Sequence, residues 1–92
     1  GLKRNAELVA QTREMIGDDV ELMVDCWMSL DTEYTVRLAE ILKPYRIKWL
    51  EEPLLPEDLE GYTQIRQRLP WQTLTTGVEW MEQSTGQEVL LF

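Results

Sequence analysis

The sequence predicts an α/β fold with a parallel sheet, and three observations lead to this prediction. Short apolar runs typical of strands alternate with amphipathic segments typical of helices. The predicted strands end at Asp25, Glu51 and Thr76, roughly every 26 residues, which is the length of one β/α unit. Two of these strands end in a carboxylate, and a β/α barrel builds its active site at the carboxyl ends of its strands. We therefore expect a partial (β/α)8 TIM barrel of about three units.

The first unit begins with a helix over Leu2–Ile16, whose apolar side chains fall near one face. Asn5 is a possible cap if the helix begins late. Gly17 is suited to end the helix in a left-handed conformation. The first strand follows over Val20–Asp25, and its consecutive apolar residues indicate a strand that is covered on both faces and hence parallel.

A loop over Cys26–Ser29 leads to the second helix, which Asp31 caps. Lys43-Pro44 ends this helix, because proline interrupts helical hydrogen bonding. Its apolar residues predict a buried stripe made of Tyr34, Leu38, Ile41 and Leu42.

The second strand is predicted over Ile47–Glu51, where Pro53 prevents the ladder from continuing. Pro56 and the acids Glu57, Asp58 and Glu60 suit the positive end of a third helix. The predicted buried face of this helix consists of Leu59, Tyr62, Ile65 and Leu69, and Gly61 weakens the helix. After Pro70, the threonine-rich segment Gln72–Thr76 predicts a third strand.

The pattern changes after Gly77. Residues 1–77 read as one fragment of a barrel domain, and residues 78–92 as a divergent tail. A weak helix between Glu79 and Leu91 is the prediction for this tail, which ends in the apolar run Val89–Phe92.

Composition restricts the possible classes of function. The 92 residues allow one small domain, and 9 basic against 17 acidic residues give a formal net charge of −8 with no histidine. This balance argues against nucleic-acid binding, which needs clustered basic side chains. No apolar run approaches the ~20 residues that span a membrane. The single cysteine, Cys26, fits a reducing compartment, so we expect a cytoplasmic protein.

Asp25 and Glu51 are the candidate metal ligands. Carboxylates at the ends of adjacent parallel strands can share one hard cation, and Mg²⁺ prefers oxygen ligands. Glu51 and Glu52 point to opposite faces of the strand because side chains alternate along it, so one of the two is expected as a ligand and the other as a supporting or structural partner. The alternative interpretation is that these strand ends are acidic without binding a metal.

Three further features allow two interpretations each. Cys26 could be a nucleophile. Because the chain has no histidine to activate it, the other interpretation is a small side chain packed in the core. Trp27 and Trp49 could line a sugar pocket or belong to the core. Glu57 and Asp58 could bind a second metal ion, or they could be acids at the start of a helix.

Three motifs resemble the enolase superfamily, and within it the mandelate-racemase-like acid-sugar dehydratases. They are Val24-Asp25-Cys26-Trp27-Met28-Ser29, Trp49-Leu50-Glu51-Glu52-Pro53 and Thr75-Thr76-Gly77, and the resemblance covers roughly residues 1–77. It implies Mg²⁺ bound by carboxylates at the ends of three barrel strands, with Asp25 and Glu51 as two of them. It also implies removal of the proton α to the carboxylate of a sugar acid, followed by loss of the 3-hydroxyl.

Two departures from the family pattern concern the site. The family places its third ligand directly after the glycine, whereas here Val78 follows Gly77 and Glu79 arrives one residue late. Glu79 could replace the ligand only if the turn contains a bulge or the loop is remodelled, because a shift of one residue turns a side chain to the other face. The chain also contains no histidine to act as the acid or base of the family.

Two functional hypotheses follow. The chain is either a fragment of a Mg²⁺-dependent acid-sugar dehydratase, inactive by itself, or a non-catalytic remnant or small interaction module. Three parallel strands would leave both sheet edges unpaired, so we also expect self-association through those edges.

Overall fold

The computed structural model describes residues 1–75 and 88–91, and it confirms the α/β class. Within these residues helices and parallel strands alternate before a final strand. The elements are α1 (Leu2–Ile16), β1 (Glu21–Asp25), α2 (Thr32–Leu42), a 3-10 helix (Lys43–Tyr45), β2 (Leu50–Glu51), α3 (Leu59–Arg68), β3 (Leu74–Thr75) and β4 (Glu88–Leu91). None of the helices in the described part of the chain is long and apolar enough to cross a membrane.

The strands form one parallel sheet in the order β3-β2-β1-β4. β2 is shorter than the predicted Ile47–Glu51, although its lead-in still runs beside β1. Lys48 donates a backbone hydrogen bond to Leu22 over 2.7 Å, and Val24 donates one to Trp49 over 3.2 Å. β3 covers only the centre of the predicted Gln72–Thr76, and Thr76 lies outside the described residues.

β4 corrects the prediction of a helix that extends to Leu91. Glu88–Leu91 is a strand that pairs in parallel with β1, and the predicted helical residues 79–87 lie outside the described residues. The run Val89-Leu90-Leu91 explains the difference, since consecutive apolar residues suit a strand that is covered on both faces. The expectation that β1 would be an open edge is therefore wrong as well, because β4 pairs with that edge.

Side-chain caps begin two of the helices. Asp31 Oδ1 accepts a 2.8 Å hydrogen bond from Tyr34 N, which confirms the predicted cap of α2. Asp58 Oδ1 accepts one of 3.0 Å from Gly61 N at the start of α3. Asn5 does not cap α1, which begins at Leu2. Its Nδ2 instead donates a 2.7 Å hydrogen bond to the Tyr34 hydroxyl and so links α1 to α2.

The helices cover one face of the sheet and form the main core with it. Two predicted core residues are instead exposed, Ile41 at 42% and Leu59 at 74%. Ile41 lies beside the buried stripe of α2 rather than on it, and Leu59 is the first residue of α3. The core cluster contains Val9, Leu22, Val24, Cys26, Val36, Leu38, Ala39, Leu42, Ile47, Leu50, Leu54, Tyr62, Ile65 and Leu69.

A buried arginine joins the end of α1 to the segment that follows α2. Arg13 is 8% exposed, and its guanidinium donates hydrogen bonds of 2.8–3.1 Å to four backbone carbonyls. Those carbonyls belong to Gly17, Val20, Tyr45 and Arg46. Because Gly17 and Val20 precede β1, this cluster lies at the amino end of the strand, away from Asp25.

Candidate metal centre

Asp25 and Glu51 lie opposite each other at the carboxyl ends of β1 and β2. Paired residues of a parallel ladder point to the same face, and neighbouring strands are about 4.8 Å apart. The alternate residues Val24 and Leu50 belong to the core beneath the helices, so the two carboxylates occupy the other face. The fold therefore brings the two predicted residues together, as the positions of the strand ends indicated.

The Glu51 carboxylate is buried without full hydrogen bonding. The residue is 6% exposed, and its Oε1 has no hydrogen-bond partner among the described residues. The Trp49 indole Nε1 is likewise buried and unpartnered, and it lies on the same face two residues earlier. A buried polar atom without a partner is costly, so Glu51 Oε1 suits a cation or a hydrogen-bond donor, whereas the Trp49 N–H suits an acceptor such as a water or a substrate oxygen.

The environment of Glu51 raises the pKa of its carboxyl above the ordinary value. Burial is the largest cause, followed by the negative charge of Asp25. The Trp49 indole partly offsets this rise, although no hydrogen bond of ordinary geometry joins it to Glu51. A divalent cation between the carboxylates would remove the charge repulsion, so the pair fits a hard cation that binds oxygen.

The loops after β1 and β2 hold the two strand ends together. The amides of Cys26, Met28 and Leu30 donate hydrogen bonds of 2.8, 2.6 and 3.0 Å to the carbonyls of Glu51, Glu52 and Pro53, respectively. Because the backbones of the two loops are hydrogen-bonded to each other, the loops as well as the strands fix the distance between Asp25 and Glu51.

Three non-glycine residues of these loops adopt left-handed backbone conformations. Trp27, Met28 and Glu52 have φ values of 55°, 59° and 48°. Asp25 Oδ1 accepts a 3.0 Å hydrogen bond from Trp27 N, which supports the turn. Conformations of this kind cost energy and cluster at functional sites. Sequence patterns did not indicate them, since none of the three residues is glycine or asparagine.

Glu52 is less buried than its neighbour Glu51. Glu52 contributes to a raised pKa of the Tyr62 hydroxyl, after burial, which is the largest cause. Tyr62 belongs to the core beneath α3, and its hydroxyl donates a 3.0 Å hydrogen bond to the Leu54 carbonyl. Glu52 lies just after β2 with a left-handed φ of 48°, so strand alternation does not fix the face of its side chain, and after burial and the charge of Asp25 its charge also contributes to the raised pKa of Glu51.

The other candidate residues have different positions. Cys26 is buried, as the packed interpretation predicted, and burial followed by the charges of Asp25 and Glu51 raises its pKa to about 12. Trp49 is fully buried, whereas Trp27 is 63% exposed, so the core interpretation holds for Trp49 and is wrong for Trp27.

The remaining predicted ligands do not join this pair in the described residues. Asp58 caps α3, and Glu57 and Asp58 do not belong to any group of three potential ligands in residues 1–75 and 88–91. No such group occurs around Asp25 and Glu51 either, within the same residues. Glu79 lies outside the described residues, so its role as the third ligand remains a prediction.

The parallel sheet packed against helices, with two carboxylates paired at the carboxyl ends of its strands, has the arrangement of a segment of a β/α barrel. The family model described as "Enolase C-terminal domain-like" matches residues 1–87. The chain therefore belongs to this family. The match also extends past Gly77, so the expected end of the resemblance at residue 77 is wrong.

Similar proteins include rhamnonate dehydratases. The chain is 45% identical over 91 residues to L-rhamnonate dehydratase from Saccharopolyspora erythraea, covering 99% of this chain and 23% of the relative. The structure of rhamnonate dehydratase from Gibberella zeae complexed with Mg matches with a TM-score of 0.80 and 39% identity, over 83% of this chain and 19% of that one. A racemase from Streptomyces coelicolor with bound magnesium matches with a TM-score of 0.78 and 35% identity, over 84% and 21%. The chain thus spans about a quarter or less of these relatives.

Proposed function

We propose that these residues form the part of a Mg²⁺-dependent acid-sugar dehydratase that binds the metal ion. The observation that carries this proposal is the buried Glu51 carboxylate opposite Asp25, whose Oε1 has no hydrogen-bond partner within the described part of the chain. The 45% identity to L-rhamnonate dehydratase supports an L-rhamnonate-like substrate, and the relatives solved with magnesium support the choice of ion.

Asp25 and Glu51 would hold the ion, with Glu79 as the proposed third ligand. A bound Mg²⁺ supplies positive charge that favours loss of the proton α to a substrate carboxylate. The loops after β1 and β2 hold the two ligands at a constant spacing, which orients whatever they bind. The proposed reaction converts a 2,3-dihydroxy acid to a 2-keto-3-deoxy acid by loss of the 3-hydroxyl.

Catalysis is proposed for the whole barrel and not for these 92 residues alone. The chain contains no histidine, so the acid or base implied by the family must come from other residues.

The alternative function, a small module that binds a partner or a second copy through a sheet edge, is supported by β3. Within the described sheet β3 is an outer strand. Sedimentation at increasing protein concentration tests that alternative, which requires association.

A Mg²⁺ titration by calorimetry tests the metal-binding role. The natural chain should bind the ion, and Asp25→Asn or Glu51→Gln should each weaken binding at least tenfold. Glu52→Gln is the matched control, because it removes the adjacent negative charge just beyond β2, leaves both proposed ligands intact and should retain binding. A silent titration of the natural chain, or equal loss in the control, would contradict the proposed site.

A chimera tests the reaction. Residues 1–75 can replace the matching segment of the S. erythraea dehydratase, which then supplies the rest of a barrel. The chimera should dehydrate L-rhamnonate, and Glu51→Gln in the chimera should abolish turnover while Glu52→Gln should not. An active chimera that tolerates Glu51→Gln would refute the assigned role of Glu51.

A further inference from the structure

The buried indole N–H of Trp49 has no acceptor among the described residues, although it lies only two residues before Glu51. The Trp49 side chain is fully buried, so the N–H does not face the solvent. An indole N–H can only donate, and an ionised carboxylate can only accept. Glu51 Oε1 is the other buried side-chain atom without a partner in residues 1–75 and 88–91. Each of the two atoms is therefore the kind of partner that the other lacks.

The backbone places both side chains on the same face of the sheet. Trp49 O accepts a 3.2 Å hydrogen bond from Val24 N, and Glu51 O accepts one of 2.8 Å from Cys26 N. Both carbonyls therefore point toward β1, and side chains two residues apart in an extended strand share a face. Leu50, which lies between them, belongs to the core beneath the helices. Two residues of a strand rise about 6.6 Å, a distance that an indole and a glutamate side chain can bridge.

A neutral donor suits this position better than a charged one. Glu51 lies opposite Asp25, and a hydrogen bond to an ionised carboxylate is roughly twice as strong as one between neutral groups. A lysine or an arginine would also stabilise the Glu51 carboxylate, but its positive charge would repel a cation bound at the same place. The indole N–H can stabilise the carboxylate without that repulsion.

We propose that Trp49 is a positioning residue for Glu51, whose carboxylate accepts a hydrogen bond from the indole N–H with one oxygen and keeps the other oxygen for the ion. This inference rests on the proposed function and extends it to a residue that does not contact the ion. Carboxylates that bind metals are themselves hydrogen-bonded, and loss of such a donor typically costs about 10–100-fold in metal affinity. In the metal-free fold Oε1 and the indole N–H have no partner of ordinary geometry, so the bond should form when the ion orients the carboxylate.

Nuclear magnetic resonance of the isotope-labelled full chain tests for this hydrogen bond. The chain has four tryptophans, so four indole N–H signals are expected, and the Trp49 signal is assigned through its own backbone. A hydrogen bond to a carboxylate moves an indole proton downfield. Saturation with Mg²⁺ should therefore move the Trp49 signal downfield and leave the Trp71 signal in place, and Glu51→Gln should abolish the movement. A merely structural role of the indole would not make its signal depend on the ion.

A pair of variants measures what the donor contributes to ion binding. Trp49→Phe removes the N–H and keeps an aromatic ring, so Mg²⁺ binding measured by calorimetry should weaken by about 10–100-fold. Trp71→Phe is the matched control, because Trp71 precedes β3 at the amino end of the sheet and is 40% exposed. This control should retain the affinity of the natural chain.

The outcomes separate the role of Trp49 from the metal site itself. If the natural chain binds Mg²⁺ and Glu51→Gln does not, the metal site holds. An unmoved Trp49 signal, or a Trp49→Phe chain that binds as tightly as the natural one, then overturns the positioning role alone. A natural chain that binds no Mg²⁺ overturns both. If Trp49→Phe fails to fold, the response of the Trp49 signal in the natural chain decides.

Discussion

Asp25 lies directly opposite Glu51 in the ladder between β1 and β2, and its charge adds to the effect of burial in raising the pKa of the Glu51 carboxyl. Two carboxylates that face each other at a strand end repel when no cation lies between them. The pair therefore destabilises the metal-free fold while it provides ligands for an ion. Such a conflict between local stability and the arrangement of a site is typical of functional positions.

Glu51→Gln should stabilise the metal-free chain at neutral pH. The substitution removes a buried charge that faces Asp25, and the expected gain in the free energy of unfolding is on the order of 1 kcal/mol. Urea unfolding in the presence of a chelator measures it. Glu57→Gln is the control, since Glu57 is exposed and its substitution should have little effect. A destabilised Glu51→Gln chain would show that the carboxylate has a structural partner.

The pH dependence of stability should identify the same group. Because the pKa of Glu51 is raised above its ordinary 4.5, the folded chain binds its proton more tightly than the unfolded chain does. The contribution of Glu51 to stability therefore falls as pH rises from 4.5 to the raised pKa. Glu51→Gln removes this dependence, so its advantage over the natural chain should grow across that window. An advantage that is constant with pH would contradict the shifted pKa.

The Glu51→Gln variant is needed for this measurement because Glu33 changes the stability with pH in the opposite direction to Glu51. Arg68 Nη1 donates a 2.6 Å hydrogen bond to Glu33, and this bond, followed by the charge of Arg68, lowers the pKa of Glu33. The contribution of Glu33 is present above its ordinary pKa of 4.5 and is lost as pH falls through the lowered value. Subtracting the two unfolding curves removes this term.

Cys26 should react slowly with alkylating reagents in the folded chain. Its pKa of about 12 leaves little thiolate at pH 8, and the buried side chain restricts access. Alkylation by iodoacetamide followed by mass measurement gives the rate, and the same reaction in urea is the control. The sequence has one cysteine, so the signal has a single source. Equal rates in buffer and in urea would contradict the buried position.

Gly61→Ala should destabilise the chain, although alanine is the better helix former by up to about 1 kcal/mol. A Cβ at Gly61 would lie 2.5 Å from Asp58 Oδ2 and 2.7 Å from Leu54 Cδ1. Overpacking of this kind costs about 1–3 kcal/mol, and the added methyl group also disturbs the cap of α3. Urea unfolding measures the sum. Gln64→Ala, an exposed position of the same helix, should be neutral or stabilising.

Arg13→Met should lower the free energy of unfolding by on the order of 3 kcal/mol, because it leaves four carbonyls without their donor. Arg13→Lys should recover only part of the loss, since an ammonium group cannot reproduce the planar fork. Arg4→Ala, on the exposed face of α1, is the control and should change little. Equal effects of Arg13→Met and Arg4→Ala would show that the hydrogen-bonded cluster contributes no stability.

Local sequence patterns were sufficient for the helices and for the position of the carboxylates. Leu2–Ile16 forms the helix that its apolar spacing predicts, and Asp31 caps α2 because its side chain can accept from an amide three residues later. Asp25 and Glu51 each end an apolar run, so parallel pairing alone was enough to place them side by side. These features depend on residues that are close in the chain.

Interactions between distant residues decided what the local patterns left open or predicted wrongly. Glu88–Leu91 is a strand because β1 offers it an edge, and a helix in the same segment would leave that edge unpaired. Gly61 is required by Leu54 and Asp58, and the role of Arg13 depends on carbonyls as far along the chain as Arg46. Sequence thus determined the types of the elements within residues 1–75 and the end of the sheet at which acids gather, since those follow from periodicity and chain direction. Tertiary structure decided the partner of β1 and the buried state of Glu51, because burial and strand pairing depend on groups that only folding brings into contact.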